Sequence, residues 1–197
     1  MAADRASNVV PFPGPRKVEP ELIAALAAGD SDAITRTYRE HAPKVRAYAR
    51  RMLGDEAAAE DVVHDAFVAL PRAMEAFRGD SKIDTFLIAI AVNLCRRRLR
   101  SSLRGKRAVE RMEQRAVEPP VRTPEAEARR RELAAALTRG LETLSVEHRE
   151  VFVLCAVEER SSPEVAALLD LPEGTIRTRL FHARKRLRAF LEREGVR

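Results

Sequence analysis

The chain has no tryptophan, two cysteines, eight glycines and only 5% aromatic residues among its 197. Each scarcity excludes something. So few aromatics leave Leu, Ala, Val and Ile to fill any core. Few glycines and no alternation of apolar and polar residues argue against an all-β fold. Cys95 and Cys155 are too few for a disulfide framework, and both sit in apolar helical stretches as small core residues would. The longest apolar runs, Phe86 to Val92 among them, have seven residues, against about 20 needed to cross a membrane. No apolar stretch follows the N-terminus as it would in a secretory signal. The expectation is a cytoplasmic protein with no membrane insertion. The sequence also lacks a Gly-rich phosphate loop, a Gly-x-Ser-x-Gly elbow and any metal-spaced His/Cys set. His41, His64, His148 and His182 are scattered along it. No catalytic residue, no metal and no cofactor are expected, and the chain does not read as an enzyme.

Charge is what the sequence has in abundance, at 34% of residues and a net +6. It is unevenly placed: +7 over residues 93–115 and +5 over 171–197, against −3 over 21–92 and −4 over 133–170. Two basic blocks, each closing an acidic or neutral segment, point to a polyanion such as nucleic acid.

The patterning is helical throughout, with two modules. Residues 1–18, with Pro11, Pro13, Gly14 and Pro15, read as a disordered tail. Leu22, Ile23 and Leu26 make a short stripe ended by Gly29. Ser31 or Asp32 is expected to cap a second helix that Gly54 stops. Asp55 is expected to cap a third, and a fourth starts near Asp84 and runs into an arginine cluster. Residues 105–124 are polar and proline-bearing and read as a linker. Beyond it, helices are expected over Glu125–Thr143 and Val146–Val157. A third has Ser161 or Ser162 as its cap and Pro163 at its first position. A turn at 170–174 then leads to a last helix over Thr175–Leu191. The fold class is therefore all-α: residues 19–104 and 125–197 form two small helical domains on a flexible linker.

Three helical faces carry the functional signal. On the last helix, Ile176, Leu180, Ala183, Leu187, Phe190 and Leu191 share one stripe at 100° per residue. Thr178 and Lys185 lie opposite, with His182 near, flanked by Arg177 and Arg184 on one side and Arg179 and Arg186 on the other. A short helix precedes it across a tight turn, the plan of a helix-turn-helix whose second helix enters the major groove. Arg reads guanine bidentately and Thr contacts a base or methyl. On the fourth helix, Ile83, Leu87, Ile90, Ala91 and Leu94 face inward, and Asn93, Arg96, Arg97 and Arg100 gather elsewhere. On the third helix Ala59, Val63, Ala66 and Leu70 face inward. Asp61, His64, Asp65 and Val68 share an acidic outer face, which repels DNA and suits a basic protein partner.

These motifs together resemble a known family. Residues 58–70 (Ala-Ala-Glu-Asp-Val-Val-His-Asp-Ala-Phe-Val-Ala-Leu) look like the helix that sigma-70 family factors dock on core RNA polymerase. Residues 84–94 (Asp-Thr-Phe-Leu-Ile-Ala-Ile-Ala-Val-Asn-Leu) resemble the adjacent promoter-melting segment. Residues 144–154 and 173–187 resemble the start and the recognition helix of the family's C-terminal domain. The small size resembles the extracytoplasmic-function subgroup. The resemblance implies a factor that binds core RNA polymerase and reads promoter DNA, usually restrained by an anti-sigma factor. By position it implies core docking by Asp61, His64, Asp65 and Phe67. It implies −10 contacts by Asn93, Arg96, Arg97 and Arg100, and −35 contacts by Thr175, Arg177, Thr178, Arg179, Arg184 and Lys185.

The sequence departs from the family pattern in places. His64 stands where Gln is common and Phe86 where Trp is common. Ile88-Ala89 lacks the frequent Tyr-Arg, and Val92 replaces a frequent Arg. Restoring Arg at Ala89 and Val92 is expected to aid promoter opening, because an opened strand needs cations. Two other readings stand beside this one: a two-module DNA-binding regulator that works without polymerase, and a partner-sequestering adaptor whose sigma-like surfaces have decayed, against which the retained Arg faces of both modules argue.

Overall fold

A computed structural model describes residues 18–79, 81–106 and 124–195. The expected tail (save Val18) and residues 107–123 of the expected linker lie outside these. The described residues form eight α-helices and one π-helical turn, with no strand among them. The order is α1 (Pro20–Ala27), α2 (Ser31–Leu53), α3 (Glu56–Met74), α4 (Ile83–Lys106), α5 (Pro124–Glu142), α6 (Val146–Phe152), the π turn Val153–Val157, α7 (Ser162–Leu169) and α8 (Glu173–Arg193).

Local chemistry sets most of the boundaries. Asp30, not Ser31 or Asp32, caps α2, its carboxylate accepting from Ala33 N at 2.7 Å. The aspartate one residue earlier wins because its Oδ1 reaches the N3 amide from extended backbone, the N-cap geometry. Gly54 ends α2 in the left-handed region. Asp55 caps α3 as expected, accepting from Ala58 N at 2.6 Å. Ser161 caps α7 in a capping box with Glu164, which puts Ser162 at the first helical position and Pro163 at the second. The Val146–Val157 helix divides: regular turns end at Phe152 and a π turn follows, closed by Glu158 N to Val153 O at 2.9 Å.

Helices α1–α4 pack as one group and α5–α8 as another. In the first group α4 is buried on more than the one stripe expected. Phe86, Leu87, Ile88, Ile90, Ala91, Val92 and Cys95 are all buried. A helix apolar nearly all round is one that neighbours enclose. In the second group Ile176, Ala183 and Leu187 bury the inner face of α8. Gly140 of α5 lets the two helices approach closely: a Cβ there would stand 2.4 Å from Leu187 Cδ1.

Candidate functional site

The α7–α8 pair forms the expected helix-turn-helix. Asp170 ends α7 in the left-handed region at φ 54°, where a short polar side chain is tolerated. Leu171 N then donates to Ala166 O at 2.9 Å, the long closing bond of a Schellman turn. Pro172 launches α8. The buried stripe turns Thr178 and Lys185 to solvent, with Arg177 and Arg184 exposed on one flank. Thr175 and Arg179 are half-buried on the other. Thr178 Oγ1 donates to Gly174 O at 2.9 Å, so its only proton is used and its lone pairs and methyl remain for a base. Arg177 is held by Glu173 one turn back at 2.5 Å. The Glu147 carboxyl of α6 sits below the usual range, first through a backbone hydrogen bond and with help from Arg179.

Sequence reasoning missed Phe181. It is 63% exposed on the solvent side of α8 that also carries Thr178 and Lys185. The signal was available in its helical angle, far from the apolar stripe. His182 stacks edge-on to Phe181 and to His148 of α6, with ring centroids 5.5 and 6.2 Å apart.

On α4 the arginines part company. Asn93, Arg97 and Arg100 are exposed and share a face at i, i+4 and i+7. Arg96 does not join them. It points to the second helical group, where Nη2 donates to Glu150 Oε2 at 2.7 Å. Arg98, outside the expected set, reaches back to α3 and donates to Asp61 at 3.1 Å and Asp65 at 2.7 Å. These bonds, Asp65's foremost, hold the Arg98 guanidinium above its usual range.

The outer face of α3 is therefore not a bare acidic patch. Asp61 and His64 are exposed, Asp65 is half-buried and Val68 is 67% exposed. Phe67 departs from the expected docking set: it is buried and packs edge-on to Tyr38 with centroids 4.9 Å apart. Its place is the α2–α3 seam, because position 67 falls next to the Val63–Leu70 stripe rather than opposite it.

The structure bears on the expectation that Arg at position 92 would aid promoter opening. Val92 is 1% exposed and Phe86 and Ile88 are equally enclosed, so a guanidinium at 92 would be an unpaired buried charge. Among the described residues no three His, Cys, Asp or Glu side chains converge to hold a metal. No helix there is long and apolar enough to cross a membrane. Cys95 and Cys155 are both free thiols, and burial pushes Cys95 up to about 12.

Known proteins share this arrangement. Residues 37–105 match the family described as Sigma-70 region 2, and residues 134–187 match Sigma-70, region 4. The ECF RNA polymerase sigma-E factor of Escherichia coli K12 is 32% identical over 173 residues, covering 83% of this chain and 89% of that one. The ECF RNA polymerase sigma factor SigM of Mycobacterium tuberculosis is likewise 32% identical over 173 residues, covering 87% and 83%. Among solved structures, CnrH in complex with the cytosolic domain of CnrY aligns with a TM-score of 0.64 at 30% identity, covering 87% of this chain and 96% of that one. The fold is also that of the sigma factor RpoE of Bartonella quintana, seen with the anti-sigma factor NepR: TM-score 0.67, 23% identity, 80% and 96% covered.

Proposed function

Because this chain belongs to the extracytoplasmic-function group of the sigma-70 family, and so directs RNA polymerase to promoters, we propose which of its residues carry out each step. Residues 19–104 dock on core polymerase and read and open the −10 element. Residues 125–197 read the −35 element. Asp61, His64 and Asp65 of α3 meet the polymerase. Asn93, Arg97 and Arg100 of α4 contact −10 DNA, joined by Arg96 once it leaves Glu150. On α8, Thr175, Arg177 and Thr178 enter the major groove by the helix N-terminus. Arg179, Arg184 and Lys185 neutralise phosphates, which fix register without reading sequence. The chain performs no bond chemistry; it positions the polymerase, and it works in the cytoplasm.

The observation that carries this reading is the division of surface charge. Two exposed basic helix faces, on α4 and α8, accompany one acidic face on α3 that DNA would repel. A regulator acting without polymerase has use for the first two only. Linking two modest DNA contacts through one polymerase then raises the effective concentration of each. By analogy with CnrH, which is held by the cytosolic domain of CnrY, the factor takes a protein antagonist of the anti-sigma class.

The test is run-off transcription by bacterial core polymerase on a pool of genomic promoters, with and without the factor. New discrete start sites are expected, and Asp61→Asn/Asp65→Asn should abolish them while DNA binding by the free protein persists. Amides suit this test better than charge reversal, which would set two new cations against Arg98. No added transcription, with salt-sensitive DNA binding intact, would establish the stand-alone regulator instead.

A further inference from the structure

The first turn of α8 holds two residues that the fold itself does not require. One is Gly174. Other glycines whose surroundings are described have a local reason to lack a side chain. Gly29, Gly54, Gly79 and Gly195 take φ between 71° and 74°, and a Cβ on Gly140 would strike Leu187. Gly174 lies in regular helix, and a Cβ there would meet no described atom within 4 Å. Glycine lowers helix stability relative to alanine. It is retained where the backbone must come close to a ligand.

The other is Glu173. From Gly174 to Leu191 the charged residues of α8 are Arg and Lys alone, yet the helix opens on a carboxylate. That carboxylate is no cap, since α8 has no side-chain cap bond. It is joined instead to Arg177, whose Nη2 donates to Glu173 Oε1 at 2.5 Å while 72% of the arginine side chain stays exposed. Among the described residues neither has another charged partner. A carboxylate in a first turn suits the helix dipole. On a surface that meets a polyanion it costs affinity, unless it accepts a hydrogen bond there.

We propose that Glu173 and Arg177 read one guanine–cytosine pair as a unit, and that Gly174 gives the turn the clearance to reach it. The inference rests on the reading that α8 enters the −35 major groove. It adds a specificity residue, Glu173, and the identity and orientation of the base pair it selects.

The hydrogen-bonding patterns match. Across the major groove a G·C pair presents two acceptors, guanine N7 and O6, and then a donor, the cytosine N4 amino group. The joined side chains present the complement: two donors from the guanidinium, then an acceptor from the carboxylate. One Nη2 proton goes to Glu173 Oε1, which leaves the other guanidinium N–H groups for the guanine. Glu173 Oε2 has no partner among the described residues and is left for the cytosine. A reversed C·G pair sets the carboxylate against guanine acceptors, and an A·T pair alternates acceptor and donor. Neither fits. Glu173 also repels phosphates, so it lowers affinity for unrelated sequence and raises discrimination. At 100° per residue Gly174 falls between Arg177 and Thr178 on the helix circumference, and its carbonyl accepts from Thr178 Oγ1 at 2.9 Å. A side chain at 174 would stand between two readers and hold both away from the bases.

The test takes a promoter recovered by run-off transcription and randomises its −35 region. Transcripts from each sequence are counted, made by core polymerase with the full-length factor. The wild type should demand one oriented G·C pair, which Arg177→Ala no longer demands. Glu173→Ala should relax the same pair about tenfold, the discrimination of one good contact, while raising output from poor −35 sequences. Glu173→Gln puts an amide donor beside the acceptor and should shift the preference toward adenine. Gly174→Ala should leave the thermal midpoint of the free factor unchanged or higher and lower output from the best −35 sequence about tenfold. Base preferences unchanged in Glu173→Ala would overturn the proposal. So would a uniform loss over all sequences, which a carboxylate that only steadies the helix would give, and so would full activity of Gly174→Ala. Two outcomes reach further and take the proposal with them. Discrete starts indifferent to every −35 substitution would fault the placement of α8 on that element, and no starts from any promoter would fault the initiation reading.

Discussion

Val92 shows how burial limits what a residue position accepts. A frequent arginine of the family would enter a site 1% exposed. We expect Val92→Arg to destabilise the protein by about 3 kcal/mol or more, the range for an uncompensated buried charge, measured by urea unfolding. Open-complex formation, read from permanganate reactivity of −10 thymines, should fall with it. Ala89 is half-buried and is the place to add a cation. Arg96 and Phe67 teach the same lesson. A sequence places residues on a helix by angle, and angle located the buried stripe of α3 and the exposed face of α8 correctly. It could not say which neighbour would cover the flanks. Arg96 is one position from Arg97 and shares its chemistry, yet Glu150, 54 residues away, claims it. No local pattern carries that information.

Caps, turns and close packing belong to the scale of the element. Gly54, Asp55, Ser161 and the α7–α8 turn were all legible, since each is fixed by residues within four positions of it. The π turn was not, because nothing in Val153–Val157 distinguishes an extra residue from a regular helix. Removing the cap hydroxyl with Ser161→Ala should cost about 1 kcal/mol and weaken −35 binding through a frayed α7, seen in thermal unfolding and in the affinity of the factor for −35 DNA. Gly140→Ala puts helix propensity against packing. Alanine gains about 1 kcal/mol in a helix interior. Its methyl, however, meets Leu187 at 2.4 Å and Phe190 at 3.1 Å, and overpacking costs about 1–3 kcal/mol. We expect net loss of stability, because Leu187 is itself buried against α5 and has little room to yield. A lower urea midpoint at unchanged slope would confirm it.

At the scale of the whole molecule, two helical domains and their order were readable from charge blocks and the proline-bearing stretch between them. Their closure on each other was not, since it depends on pairs such as Arg51–Glu158 separated by 107 residues. That closure makes the stability of the factor sensitive to pH. Burial between the two domains raises the Glu150 carboxyl above the usual range, opposed by Arg96 and by Arg179, while Glu147 adds to the rise. Tyr48 and Cys95 also face it and are pushed up by burial in turn. A carboxyl easier to protonate folded than unfolded favours the folded form in acid. The gain is absent above the raised value and complete once pH falls below the ordinary carboxylate range. Urea unfolding between pH 8 and pH 5 should show the wild type gaining stability relative to Glu150→Gln, which has no proton to bind, as acid is added.

Arg98 carries a last consequence. The acidic pair on α3 already wears a cation, drawn from the neighbouring helix. On the proposed docking, a polymerase cation arriving at Asp61 and Asp65 would displace one guanidinium with another, and the count of neutralised carboxylates would not change. Docking through this face, as proposed, would be an exchange of partners rather than an annihilation of charge. Its dependence on ionic strength should be shallower than two bare aspartates would give, and Arg98→Ala should steepen it.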